Sequence, residues 1–152
     1  MKTLILSLFL VSFAASAAGV DNDKEINLLA GGWSQHFFKQ PGPALNYKND
    51  LLAVEYDNWI VGTFKNSYDD RTYTAAYDFN WQRDDLEYGV AVGLNYGYCG
   101  SNQKDKFIDK YGCDTANIVP MVMPYVSYSK FRIKPTVGLL WNALILTFKI
   151  EL

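Results

Sequence analysis

The chain has 152 residues, of which 49% are hydrophobic, 16% aromatic and only 20% charged, with a net charge of −2. A disordered chain, a collagen-like repeat and a bundle of membrane helices are poor fits to that balance, and the length suits one compact domain. No basic cluster exceeds a residue or two, so a nucleic-acid partner has no electrostatic footprint.

Charged residues fall below the ~25% of an ordinary soluble domain, while Tyr (11), Phe (9) and Trp (4) are abundant. An apolar outer surface is the expected consequence.

At the start, Met1-Lys2 precedes an apolar run from Leu4 to Phe13 and then Ala14-Ala15-Ser16-Ala17-Ala18-Gly19. This is the layout of a secretory signal peptide, with cleavage expected after Ala17, so residues 1–17 are assigned to the signal and 18–152 to a single exported domain. The run is shorter than the ~20 residues of a spanning helix. No cysteine lies near the cleavage site, which argues against a lipoprotein.

Beyond the signal the period is two. Strands are expected over 27–38, 51–56, 59–67, 72–81, 86–98, 118–128, 131–140 and 144–152. In the clearest of them Leu86, Tyr88, Val90, Val92, Leu94, Tyr96 and Tyr98 share one face and Glu87, Gly89, Ala91, Gly93, Asn95 and Gly97 the other. Tyr73 to Trp81 and Leu144 to Leu152 repeat the pattern. Short breaks at 57–58, 82–85 and 129–130 alternate with long polar ones at 39–50 and 99–117 and brief ones at 68–71 and 141–142, the order expected of an up-and-down meander.

Eight strands cannot hold dozens of large side chains in a barrel interior that a few side chains fill. With the aromatic face outward and Gly89, Ala91, Gly93, Asn95, Thr74 and Asp78 inward, the pattern is that of an all-β, eight-stranded antiparallel up-and-down transmembrane β-barrel. Trp33, Trp59, Trp81, Tyr98 and Trp141 sit where interfacial girdles belong. A soluble sandwich or lipocalin-like barrel is the competing fold. A porin is disfavoured, because so small a barrel has no aqueous bore.

Cys99 and Cys113, the only cysteines, flank a polar stretch. In an exported protein they read as a disulfide closing a loop; two idle thiols are the alternative. With the single His36 they make no four-ligand metal site, and no cofactor motif is present.

His36 is in phase with Leu28, Ala30, Gly32 and Ser34, on the small-residue face near the end of the first strand. Ser67, read in phase with Thr63 and Lys65, ends the third strand at the same end of the barrel, one strand away. An imidazole beside a hydroxyl is the minimum for a base-assisted nucleophile, and Asn66 is placed to orient either. A plain polar rim is the bland reading of the same residues. Pro120 and Pro124 each remove a ladder donor, which marks either a bulge or strand end or a gap between strands. The inward glycines leave a slot for a hydrocarbon tail, make room for a facing Trp or Tyr, or permit sharp barrel curvature.

His36, then Lys65-Asn66-Ser67-Tyr68, then Val119-Pro120-Met121-Val122-Met123-Pro124 followed by Tyr125 and Ser127, in that order, resemble the motifs of the outer-membrane lipid A palmitoyltransferases, an eight-stranded barrel family. The resemblance covers most of the exported chain as a pattern and these three stretches residue by residue. It implies that His36 and Ser67 occupy the catalytic positions, with Asn66 where the family has Asp, and that Pro120 and Pro124 flank a lateral entry for an acyl chain. It also implies a monomer in the outer membrane of a Gram-negative bacterium, with phospholipid and lipopolysaccharide as partners. The chain departs from the family at Asn66, which carries no charge to support an imidazolium, and at Val20 to Glu25, which is too short and polar for the family's N-terminal amphipathic helix. Asn66 and the expected disulfide-closed loop with Lys104, Asp105, Lys106 and Asp109, beside a similarity to hypothetical bacterial and phage-encoded proteins, support the alternative of a non-enzymatic surface barrel, serving in binding, receptor masking or phage exclusion.

Overall fold

The computed structural model describes residues 25–37, 45–98 and 117–152. The expected signal peptide, the Cys99–Cys113 pairing and the loop between them lie outside the described residues.

Eight antiparallel strands close on themselves in chain order. They are β1 (Ile26–His36), β2 (Lys48–Tyr56), β3 (Trp59–Lys65), β4 (Arg71–Arg83), β5 (Leu86–Tyr96), β6 (Ile118–Tyr128), β7 (Ile133–Leu140) and β8 (Ala143–Glu151). The up-and-down order follows from the turns. Asp57 and Asn58 both take positive φ, 50° and 68°, as a two-residue hairpin with native twist requires, and short polar side chains tolerate that region. The same end carries the turn at Asp84 and Asp85 and the one after Tyr128. It is called the turn end, and the end that holds His36 the loop end.

The period-two pattern sorts side chains as expected. Tyr88, Val92, Leu94 and Tyr96 are exposed on the outer wall, and Glu87, Ala91 and Asn95 are buried inside. Trp59, Trp81 and Tyr88 ring the outer wall near the turn end, while Trp33, Tyr73, Tyr96 and Trp141 ring it near the loop end. Between the rings the outer surface is apolar.

Strand β1 departs from a single phase. Asn27 and Leu29 point inward, but so do Gly32 and Ser34. The register slips between Gly31 and Trp33 against β2, and between Ala30 and Trp33 against β8. Gly31 and Gly32 take φ of 79° and 139°, which only glycine adopts without strain. This bulge inverts the phase, so Leu28 and Ala30 face outward and are not on the face of His36, contrary to the reading from spacing. His36 remains on the inner side because of the bulge.

The inward glycines do not line a slot. A Cβ on Gly93 would collide with the Ala75 carbonyl oxygen, and one on Gly62 with the Ala53 Cβ, so these positions let neighbouring strands curve tightly. At Gly89 the space is taken by Tyr125, 2.9 Å from such a Cβ. Room for a facing aromatic is the outcome there.

Closure is thinnest between β6 and β7. β6 pairs with β5 along its full length, from Ile118 opposite Tyr96 to Tyr128 opposite Leu86. Against β7 it pairs only at Tyr125, Val126 and Ser127. Pro120 and Pro124 have the same parity along β6, so their missing donors fall on one edge, and the edge left unpaired is the one toward β7. Pro135 on β7 sits just below the last of the three pairs. Prolines thus bracket a short seam.

Candidate functional site

At the loop end His36 Nε2 lies 2.8 Å from Ser67 Oγ. Ser67 reaches it from a turn. β3 ends at Lys65, and Thr63 and Lys65 pair with Tyr73 and Arg71 on the outward row, so Ser67 does not continue their phase as expected. The turn 66–70 swings its hydroxyl inward.

Asn66 builds that turn. Its Oδ1 accepts from the backbone N–H groups of Tyr68 (2.9 Å) and Asp70 (3.1 Å). Its Nδ2 donates to Thr72 Oγ1 (3.2 Å) and to the Tyr98 carbonyl (3.3 Å). The amide therefore fixes the position of Ser67 through the backbone and makes no hydrogen bond to the imidazole. His36 Nδ1 is buried and has no hydrogen-bond partner among the described residues. The arrangement is a dyad, with no third member of a triad among those residues.

Residues that spacing did not single out complete the support. The Asn46 N–H donates to the Ser67 carbonyl at 2.7 Å, the Tyr47 ring packs edge-on to His36 with centroids 6.3 Å apart, and Asn49 Nδ2 donates to the Lys65 carbonyl at 3.1 Å. Asn46 and Tyr47 immediately precede β2 and Asn49 is its second residue, all in a segment read as a loop. Their signal is the Asn-Tyr-Lys-Asn run itself, rich in side chains that bond backbone.

Below the dyad the lumen is apolar. A cavity of about 80 Å³ is walled by Leu29, Leu51, Phe64, Met121, Met123 and Leu140, among others. Met121 and Met123 come from β6 and Leu140 from β7, so both strands of the thin seam form its wall. Pro120 and Pro124 face outward on the same strand.

The floor is ionic. Lys149 Nζ lies 2.6 Å from Glu87 Oε1, 2.9 Å from Glu55 Oε2 and 3.8 Å from Asp78 Oδ2. Tyr125 Oη donates to Asp78 Oδ2 at 2.6 Å and lies 3.1 Å from Glu87 Oε1. Lys134 Nζ adds a contact of 3.6 Å to Glu87. Each of these charges is an inward residue of a different strand, with Glu55, Glu87, Lys134 and Lys149 close to the turn end. Below them opens a polar vestibule of about 270 Å³, also lined by Glu55 and Lys149. The ion pairs are the partition between the two spaces.

Among the described residues no group of three or more His, Cys, Asp or Glu side chains is arranged to hold a metal ion. Comparison with known proteins finds no matching family model, no matching curated protein and no matching solved structure.

Proposed function

We propose that the protein is an outer-membrane β-barrel that admits the acyl chain of a phospholipid into its lumen between β6 and β7 and transfers it, at the loop end, to a hydroxyl of a lipopolysaccharide-like acceptor. The observation that carries this reading is the 2.8 Å contact of His36 with Ser67 at the head of an apolar cavity. The outward apolar band between two aromatic rings supports a hydrocarbon surrounding. Strands of 7 to 13 residues bracket the ~9–11 that a tilted spanning strand uses. Unpaired strand edges are costly in lipid, and prolines reduce the donors left unpaired at the seam.

The chemistry follows from the pair. Ser67 Oγ attacks the ester carbonyl carbon, its proton passes to His36 Nε2, and the ester C–O bond breaks. The departing glyceryl oxygen takes the proton from Nε2, leaving the acyl group on Ser67. The acceptor hydroxyl then attacks that ester, gives its proton to His36, and Ser67 leaves with a proton restored.

Expression in a bacterial outer membrane followed by mass measurement of lipid A tests the reading. The expected result is the mass increment of one acyl chain, lost in Ser67→Ala and His36→Ala while both variants still fold. No increment, or one that survives both substitutions, overturns it.

His36 Nδ1, which has no hydrogen-bond partner among the described residues, favours a second reading, a non-enzymatic surface barrel. In that case lipid A mass is unchanged and deletion of residues 100–112 abolishes binding or phage exclusion.

A further inference from the structure

Two buried polar side chains near the top of the cavity, Ser34 and Asn49, each keep an oxygen that neither the dyad nor its support uses. Ser34 is 6% exposed and Asn49 7% exposed. Ser34 Oγ and Asn49 Oδ1 have no hydrogen-bond partner among the described residues. Buried polar atoms are seldom left unpaired, because each forfeits its hydration.

Their places are fixed. On β1 the inward row above the bulge runs Gly32, Ser34, His36. Asn49 stands against Gly32, where a methyl group in place of hydrogen would be 3.0 Å from Asn49 Cβ, and it lines the cavity. The Ser34 N–H donates to the Tyr47 carbonyl at 2.9 Å, which sets Ser34 and Asn49 diagonally across adjacent strands. Such neighbours stand about 7 Å apart residue to residue, which brings their side-chain tips within reach of one oxygen held between them. The amide cannot turn over without setting its oxygen against the Lys65 carbonyl, so an acceptor faces the gap.

The geometry points to an acyl chain bearing a hydroxyl near its carbonyl end as the preferred ligand, with Ser34 and Asn49 as the specificity-determining residues. This rests on the acyl-chain reading of the cavity. With the carbonyl at Ser67, Ser34 lies one inward step down β1 from His36, a rise of about 6.6 Å along the strand and about 5 Å along the axis of a tilted barrel. That depth falls within about the first four carbons of an extended chain, as the strand rise sets it. The hydroxyl donates to Asn49 Oδ1 and accepts from Ser34 Oγ. An unsubstituted chain leaves both groups unpaired.

The test uses the full-length protein in phospholipid nanodiscs, with methyl tetradecanoate and methyl 3-hydroxytetradecanoate as probes. Shifts of cavity amide resonances give the two affinities. The hydroxylated ester is expected to bind about tenfold more tightly, in the range of one hydrogen-bonded pair, and to shift the Asn49 side-chain amide. In Ser34→Ala and in Asn49→Leu the ratio falls toward one. Should Asn49→Leu fail to fold for want of its bond to Lys65, Ser34→Ala alone decides. Equal affinities in the unaltered protein, as a resident water satisfying both groups produces, overturn the inference and leave the acyl reading standing. A preference that survives in the folded variants also overturns it. If neither ester perturbs the cavity, both readings fall.

Discussion

The two halves of the lumen share one wall and differ in everything it presents. Toward the loop end the inward positions carry Leu29, Phe64, Met121 and Leu140 around open space, under a His and a Ser. Toward the turn end they carry Glu55, Asp78, Glu87, Lys134 and Lys149 in mutual contact. A closed sheet needs its interior filled, and charges packed against one another fill it rigidly because each depends on its partner. Flexible methionines and leucines fill it loosely. The difference separates a half that holds the barrel's shape from a half with room for something else. The thin β6–β7 seam opens beside the loose half.

The sharpest way to break this contrast is at Lys149, which touches three carboxylates and whose side chain is 5% exposed. Lys149→Met strands those charges, and a loss of about 3–5 kcal/mol is expected, the range for removing one partner of a buried ion pair. Urea unfolding in lipid vesicles measures it. A loss below about 1 kcal/mol, the range of exposed pairs, would show that the floor is not the stabilising half.

A smaller effect is expected in the other half. Met121→Trp fills cavity space, and acyl transfer or uptake of a plain ester should fall about tenfold, as for a pocket that loses room for a few methylenes. Unfolding should change little, since the site has space to fill. Unaltered uptake would show that the chain lies elsewhere.

The smallest effect belongs to the seam. Pro124→Ala restores a ladder donor, which a β7 carbonyl is free to accept if the strands draw together. A gain of about 1 kcal/mol or less is expected, the net value of one hydrogen bond. Slower hydrogen exchange at residue 124 and slower chain entry are the readouts. Faster entry would contradict a seam held open by missing donors.

Legibility in the sequence varied with how local the cause was. The alternation in β4, β5 and β8 announced strand, face and closure at once, because side-chain direction depends on parity alone. His36 was placed on the inner side by counting back through Leu28 and Ala30, which face outward. The bulge at Gly31 and Gly32 flips the phase between them, and a Gly-Gly pair is the one local sign of it. Ser67 was assigned by a phase it does not follow, since the strand stops at Lys65 and a turn carries the hydroxyl inward. Asn66 was expected to orient the dyad directly and does so only by shaping that turn. The ionic floor was missed, although four of its members sit at inward positions near the turn end, because each strand shows only one of its charges.

The sequence by itself therefore determined the barrel: a period of two repeated eight times, with turns that force φ above zero, admits few other closures once the large side chains must stay outside. It also determined where ladder donors are missing, since proline lacks an N–H in any fold. Only the tertiary structure decided which charges meet, that the lumen divides into a packed ionic half and an apolar half, that the unpaired edge of β6 opens beside the apolar one, and that His36 and Ser67 come within 2.8 Å. Those outcomes depend on strand register and on one bulge, which set distances between residues far apart in the chain, and no local pattern carries that information.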